Sequence, residues 1–239
     1  MPFDFIKGEL LLIDKPSGWT SFDVVNKIRR LLGKLLGTRL KVGHAGTLDP
    51  MATGLLLVCT GGMTKSIESF TGLDKEYTGT FTLGATTPSH DSETEIIPLS
   101  NEQSIVNPQS AIRNLKSDQI NLAVEKFKGV IMQVPPLYSA KWIDGRRAYQ
   151  YARKNKEIEL QPVPVIIHDF RITRIELPEV DFTVRCSKGT YIRALARDFG
   201  EELGTGAYLS ALRRTKIGDY DVHDALSIEQ FETEISTTG

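Results

Sequence analysis

The sequence predicts an α+β protein, organised as a single domain over residues 1–239, with one surface insertion. Short apolar runs and amphipathic helical patterns alternate along the chain, which indicates strands and helices mixed in sequence. We find no internal repeat and no flexible linker that would divide the chain. Residues 133–162 are basic, aromatic and flanked by prolines, so we place the insertion at about residues 120–160.

The first part of the chain gives strand and helix signals in turn. The apolar run 8–14, followed by the turn 15–18, predicts a buried strand and its exit loop. Thr20 and Asp23 have the spacing of a capping box, which predicts that a helix begins there. The short apolar run 55–59 predicts a second buried strand.

The remaining elements follow from alternation and capping signals. Residues 76–83 are rich in threonine and aromatic side chains and predict a strand. Residues 180–186 alternate strictly between apolar and polar side chains, which predicts a half-buried strand. Between them, residues 122–127 suit a short helix. Thr190 is expected to cap a further helix that Gly204 ends.

Composition excludes several classes of protein. Hydrophobic residues make up 40% and charged residues 25% of the chain, ordinary values for a globular protein. We find neither a membrane-spanning run nor a basic region ahead of an apolar stretch at the N-terminus, so we expect a cytoplasmic protein. Cys59 and Cys186 are expected to be reduced thiols. The four histidines are scattered, and no metal site is predicted.

The charges are distributed unevenly although the net charge is only −1. Of the 29 basic residues, 19 fall in four windows, namely residues 27–41, 141–156, 185–197 and 213–216. A neutral chain with local basic windows suits a protein that holds a phosphate backbone on one face. The alternative is that each window is a solvated helix face.

The segment 43–54 is the strongest candidate for a functional site. Three glycines in its twelve residues let a backbone approach a ligand closely. Asp49 precedes a proline, which favours an extended conformation that presents the carboxylate outward. An Asp-Pro pair is also an ordinary turn former. Its place in a glycine loop between two predicted strands favours a site.

This segment resembles the catalytic motif of the TruB-type tRNA pseudouridine synthases. Other segments resemble the same family in the same order along the chain, and they are residues 11–18, 75–77, 134–140, 186–193 and 212–214. The resemblance covers roughly residues 8–215. It implies the pseudouridine synthase fold, a mixed, mostly antiparallel central sheet flanked by helices, and it implies that the insertion binds RNA.

The resemblance implies an isomerase that converts uridine 55 in the T loop of tRNA to pseudouridine. An aspartate, here Asp49, attacks the target nucleotide, and the base detaches, rotates and reattaches through C5 without cofactor or metal. An ionised carboxylate in a dry pocket needs a cation. We expect this to be Arg193, which is badly placed for the dipole at a helix start. The alternative is an ordinary surface arginine.

Four further residues match site positions of the family. Tyr77 is expected to stack on the flipped base, although strand tyrosines commonly pack at a core edge. Tyr191 is expected to act in proton transfer at C5 or to hydrogen-bond the site, unless it is simply buried. Leu212 is expected to line the uracil pocket, and His44 to help fill the gap left by the flipped base.

The remaining candidates concern RNA binding. Lys15 and Lys65 are candidate phosphate contacts. Lys141, Arg146 and Arg147 in the insertion are expected to clamp the T-arm stem-loop. Asp91 is the one position carried over from the family within the polar segment 86–118.

Many family members continue into a C-terminal RNA-binding domain of the PUA type, which we expect this chain to lack. The expected partner is tRNA, modified by a monomer that needs no guide RNA and contacts no membrane. Three alternatives remain open. They are a non-catalytic RNA-binding or tRNA-folding protein, a guide-dependent synthase subunit similar to the dyskerin relatives, and an unrelated hydrolase with an aspartate nucleophile.

Overall fold

The computed structural model describes residues 3–99, 112, 114–139 and 160–237, with the backbone of residues 142–143 and 146–147. The chain forms two compact units. The first unit comprises Met1–Thr78 and Leu212–Gly239, and the second comprises Gly79–Ala211. Both boundaries fall inside strands, so two strands contribute residues to each unit. The predicted organisation as a single domain stays a prediction.

Helices and strands alternate along the chain, which confirms the predicted α+β class. The α-helices are α1 (Ser21–Leu36), α2 (Ile67–Thr71), α3 (Ser117–Glu125), α4 (Ile192–Glu202) and α5 (Ile228–Ser236). The strands are β1 (Leu10–Lys15), β2 (Val42–Ala45), β3 (Thr53–Thr60), β4 (Lys75–Leu83), β5 (Ala85–Thr86), β6 (Ile97–Pro98), β7 (Gly129–Gln133), β8 (Trp142–Ile143), β9 (Arg146–Arg147), β10 (Val163–Glu176), β11 (Glu179–Cys186), β12 (Ala207–Ile217) and β13 (Tyr220–Asp221).

The first unit contains a mixed sheet built around β3. The strand order is β1-β3-β12-β4, with β2 also paired to β3 and β13 to β12. β1 and β2 run antiparallel to β3, whereas β12 runs parallel to it, with Arg213 opposite Thr53. Seven of the eight β3 residues are buried, which is why this strand is a continuous apolar run rather than an alternating one.

Helices α1 and α5 cover this sheet with one apolar cluster. Val24 and Ile28 of α1 pack with Ile13 of β1, Leu56 of β3 and Phe231 of α5. All five of these residues are 0% exposed. The cluster fixes α1 on the sheet, and the N-terminus of α1 is therefore held in a defined place.

The start of α1 agrees with the predicted capping box. The Thr20 hydroxyl accepts a hydrogen bond from the Asp23 N–H, and the Asp23 carboxylate accepts one from the Thr20 N–H. Two of the unpaired N–H groups at the helix start are satisfied in this way. Gly37 ends the helix in the left-handed conformation, with φ of 65°.

The second unit has an aromatic core between its sheet and α4. Its strand order is β12-β4-β11-β10-β7. Phe81 of β4 stacks on Phe182 of β11 at a centroid distance of 4.2 Å, and it lies 5.4 Å from Phe199 of α4. Phe170 of β10 completes this cluster edge-on.

Two predictions in this unit need correction. Thr190 does not cap α4, because its hydroxyl donates to the Ser187 carbonyl and Tyr191 is the N-cap residue. The helix predicted at residues 122–127 begins and ends earlier, at Ser117 and Glu125. The insertion lies largely outside the described residues, where only the backbone of the small β8–β9 hairpin is seen.

We expect Phe199→Ala to lower the free energy of unfolding by about 3–5 kcal/mol, because it leaves a cavity in the aromatic core. Phe22→Ala is the matched control, since the Phe22 side chain is 59% exposed, and its effect should stay within about 0.5 kcal/mol. Urea unfolding measures both. Equal effects of the two changes would contradict the described core.

Candidate active site

The loop that carries Asp49 connects β2 to β3. Hydrogen bonds from Gly18 and from Ser21, the first residue of α1, hold its backbone. The Ser21 hydroxyl accepts from the Leu48 N–H at 2.8 Å and donates to the Leu48 carbonyl at 3.2 Å. The Gly18 N–H donates to the Pro50 carbonyl at 2.8 Å. The backbone is therefore fixed on both sides of Asp49, whose own side chain is only half-buried.

Lys15 is a second support of this loop. Its side chain is 0% exposed, and its ammonium donates to the carbonyls of Pro16, Trp19 and Pro50 at 2.9, 2.6 and 3.2 Å. A fully buried ammonium bound to three carbonyls offers no surface to a phosphate. The predicted phosphate contact at Lys15 is therefore wrong, and we assign it to loop support.

Arg214 is a buried cation to which the sequence assigned no role. Its side chain is 1% exposed, and it donates to the Leu55 carbonyl at 2.7 Å and to the Gly46 carbonyl at 3.1 Å. Burial lowers the pKa of the guanidinium, while Tyr77, through its charge and a hydrogen bond, and the charge of Asp49 act in the opposite direction. The available signal was the alternation of β12, which puts position 214 on the same buried face as Leu212.

Tyr77 and Leu212 lie on β4 and β12 of the first unit, and each is 8% exposed. Tyr77 hydrogen-bonds Arg214, so its hydroxyl has a fixed partner. Nearby along β4, the Lys75 ammonium donates to the carbonyls of Thr71 and Leu73 at 2.7 and 2.6 Å. Stacking by Tyr77 and the uracil-pocket role of Leu212 stay predictions.

His44 and Lys65 differ in their surroundings. His44 is a half-buried residue of β2, and burial followed by the charge of Arg214 lowers its pKa. The imidazole is therefore neutral near pH 7, which suits a packing residue better than a proton donor. Lys65 is exposed at the end of a 3-10 helix, where a phosphate contact is sterically open and stays a prediction.

In the second unit, Arg193 is held by a set of buried oxygen atoms. Its side chain is 5% exposed. It faces the Asp91 carboxylate at 3.4 Å and donates to the carbonyls of Ser89 and Tyr138 at 3.2 and 2.9 Å. Asp91 itself is 0% exposed and accepts from the Ser89 hydroxyl at 2.5 Å and from the Glu93 N–H at 2.9 Å. An ordinary surface arginine is therefore excluded.

Tyr191 is fixed through its backbone rather than its ring. The amide of Gln133, a side chain that is fully buried, accepts from the Tyr191 N–H at 2.8 Å and donates to the Tyr191 carbonyl at 3.1 Å. The side chain of Tyr191 is half-buried. This arrangement orients the start of α4, on which Arg193 also lies, and the catalytic role of Tyr191 stays a prediction.

Part of the predicted basic surface is used inside the protein. Arg213 makes a two-point ion pair with Asp14 at 2.6 and 3.0 Å, and Lys27 pairs with Glu232 at 2.8 Å. Arg193 on α4 and Arg214 on β12, which also belong to these windows, are buried. Among the described residues, these four basic side chains of the windows are therefore engaged in contacts within the protein. Lys141 lies outside the described residues, and the side chains of Arg146 and Arg147 do too.

His90 is a strained residue beside Asp91 that the sequence did not single out. Its φ is 62°, in the left-handed region that most side chains avoid, and its carbonyl accepts from the Leu209 N–H at 3.0 Å. Burial, then the charges of Arg197 and Arg193, lower its pKa from 6.5 to about 4. The folded protein therefore favours the neutral imidazole.

Two features are absent from the part of the chain that the structure describes. No helix among them is long and apolar enough to cross a membrane. Within the same residues, no group of three or more histidine, cysteine, aspartate or glutamate side chains is arranged to hold a metal ion.

Known proteins similar to this chain point to one family. A family model described as the N-terminal domain of TruB family pseudouridylate synthases matches residues 33–192. A second, described as the C-terminal domain of tRNA pseudouridylate synthase B, matches residues 193–238. The chain is 51% identical over 236 residues to tRNA pseudouridine synthase B of Flavobacterium johnsoniae, covering 98% of this chain and 99% of that protein.

The protein of the same description from Phocaeicola vulgatus is 48% identical over 229 residues, which cover 95% of this chain and 93% of that protein. Among solved structures, a chain of a Cbf5-Nop10-Gar1 complex is 25% identical with a TM-score of 0.68. The similarity covers 96% of this chain and 54% of the chain in the complex, so this chain spans about half the length of that protein. These similarities confirm the predicted fold.

We expect the free energy of unfolding to fall more between pH 7 and pH 5 in the wild type than in His90→Asn. The unfolded chain takes up a proton near pH 6.5 and the folded protein only near pH 4, so this stability is present above pH 6.5 and is lost as the pH falls. The difference should be about 1–2 kcal/mol. Asparagine tolerates the positive φ.

Urea unfolding at both pH values measures the difference. An equal loss in the two proteins would show that His90 is not held neutral by the fold.

Proposed function

The chain belongs to the TruB family of pseudouridylate synthases, and we propose that it converts uridine 55 of tRNA to pseudouridine with Asp49 as the catalytic residue. The observation that carries this proposal is the Asp49 loop, whose backbone is held by buried groups while the carboxylate remains half-buried. A nucleophile that is fixed in position but still reachable is what attack on a bound nucleotide requires.

The reaction is a redox-neutral isomerisation, so the protein has to supply positioning and proton transfer. The N1–C1′ bond of the nucleotide breaks, the base rotates, and a C5–C1′ bond forms. The proton on C5 is lost to a base, and N1 gains a proton from solvent, so that atoms and charge balance. Attack by the Asp49 carboxylate on the ribose or on C6 of uracil leads to the same product.

Tyr77 and Leu212 are proposed to hold the flipped base. An aromatic ring suits the face of a uracil taken out of its stack, and the backbone of Leu212 can hydrogen-bond the edge of the base. The hydrogen bond with Arg214 gives the Tyr77 hydroxyl a fixed partner within the protein.

Arg193 is proposed to be a catalytic residue, as the family resemblance implies. Support comes from its own surroundings, since two carbonyls and the buried Asp91 orient the guanidinium. Tyr191 is proposed to assist the proton transfer at C5. Asp91 would then act through Arg193 and is a positioning residue.

The proposed substrate is the folded T arm, recognised by its shape and by single-stranded loop bases. Lys65 is exposed and free of steric cover for a phosphate, and the insertion is proposed to clamp the stem-loop. We further propose that the protein works in the cytoplasm as a monomer and needs no guide RNA.

We expect wild-type protein to release tritium from a T-arm stem-loop labelled at C5 of the target uridine, and Asp49→Asn to lower the rate on the order of a thousandfold or more. The amide cannot act as the nucleophile, but it has the same shape as the carboxylate, so affinity for the stem-loop should change little. Asp118→Asn, an exposed position in the first turn of α3, is the matched control and should keep the wild-type rate.

Turnover that survives in Asp49→Asn would contradict the assignment of the catalytic residue. Tight binding without release by the wild type, on full-length tRNA as well, would favour a binding or folding protein. Release only after a guide RNA is added would favour the guide-dependent alternative.

A further inference from the structure

Arg214 connects the two ends of the loop that carries Asp49. Gly46 lies at the start of this loop and Leu55 in the strand that follows it, and both carbonyls accept hydrogen bonds from the same guanidinium, at 3.1 and 2.7 Å. The planar arrangement of N–H donors in arginine can bind two acceptors in fixed directions. One side chain therefore sets the distance between the loop ends.

The surroundings of Arg214 leave little freedom for this connection. The residue pairs with Gly54 across the parallel β3–β12 ladder. A Cβ atom at Gly54 would overlap the Arg214 backbone, and Gly54 has a φ of 103° that favours glycine. The start of β3, which directly follows the loop, therefore packs on the Arg214 backbone in β12.

Removing the Arg214 charge from water costs free energy, which indicates that the residue does more than stabilise the fold locally. A buried guanidinium is tolerated only with hydrogen bonds and nearby negative charge. Arg214 has two carbonyls, the Tyr77 hydroxyl and the Asp49 carboxylate around it. Two of these four groups are residues that the proposed reaction uses.

We propose that Arg214 is a positioning residue of the reaction, which fixes the loop so that Asp49 meets the nucleotide at the required distance and angle. The proposal rests on the proposed function. Arg214 acts through the loop backbone and through Tyr77, and it does not itself touch the substrate. It should affect the rate of the chemical step and leave the affinity for RNA unchanged.

Arg213 offers a matched control on the same strand. Its side chain is 40% exposed and pairs with Asp14, and its guanidinium also reaches the Thr53 hydroxyl at 3.4 Å. Changing Arg213 to lysine removes as many atoms and keeps the charge, as the same change does at Arg214. A general effect of shortening an arginine in β12 would therefore appear at both positions.

The test compares Arg214→Lys with Arg213→Lys in single-turnover tritium release and in stem-loop binding. Lysine keeps the charge, but its single nitrogen cannot occupy the positions of both Nε and Nη2 of Arg214, which donate to Leu55 and Gly46. A displaced reacting group costs about a hundredfold in rate, and we expect that loss in Arg214→Lys. Its dissociation constant should change less than about threefold, as should both quantities in Arg213→Lys.

Hydrogen exchange of the backbone amides in residues 46–55 provides the second measurement. We expect faster exchange in Arg214→Lys than in the wild type, with the exchange of α1 unchanged. A wild-type rate in Arg214→Lys, or a loss of affinity as large as the loss of rate, would overturn the proposal. If both Arg214→Lys and Arg214→Gln fail to fold, Arg214 serves folding and the proposal is likewise overturned.

These results separate the two proposals. If the wild type releases no tritium, the proposed function fails, while the exchange measurement still decides whether Arg214 holds the loop. If the wild type is active and both lysine variants match it in rate, only the role of Arg214 fails.

Discussion

The structure of the first unit depends on one constraint, which is that the half-buried Asp49 carboxylate is carried by a loop whose backbone is fixed by hydrogen bonds. Loops move because few groups hold them, and a glycine-rich loop loses more conformational entropy on ordering than most. Here Lys15, Arg214 and Ser21 supply hydrogen bonds to loop backbone groups around Asp49. Burying two cations costs several kcal/mol before compensation, and the carbonyl acceptors offset that cost.

The second unit uses the same physical device around Arg193. Carbonyls and one buried carboxylate surround the guanidinium, and Asp91 is in turn held by a hydroxyl and an N–H group. Several fixed hydrogen-bond partners restrict a charged side chain to one rotamer. Its orientation is therefore the same before and after the substrate binds. Stabilisation of the transition state by preorganised charge is the largest contribution to the rate enhancement of many enzymes.

The sequence predicted correctly those elements that depend on interactions between residues close together in the chain. The Thr20 capping box, the apolar run of β3 and the alternation of β11 agree with the structure, because each depends on neighbours in sequence. The burial of Lys15 and Arg214 was not predicted, because their acceptors are backbone carbonyls, which have no residue signature. Thr190 failed as a cap because α4 begins one residue later than predicted, so that Tyr191 is its N-cap residue.

The most direct measurement is a structure of the protein bound to a T-arm stem-loop that carries 5-fluorouridine at the target position, where fluorine replaces the C5 hydrogen that has to leave as a proton. We predict the target nucleotide out of its stack and against Asp49, with the Lys15–Pro50 and Arg214–Gly46 hydrogen bonds unchanged from the free protein. A nucleotide bound away from Asp49, or a loop that rearranges on binding, would contradict the idea that a prearranged loop presents the catalytic carboxylate.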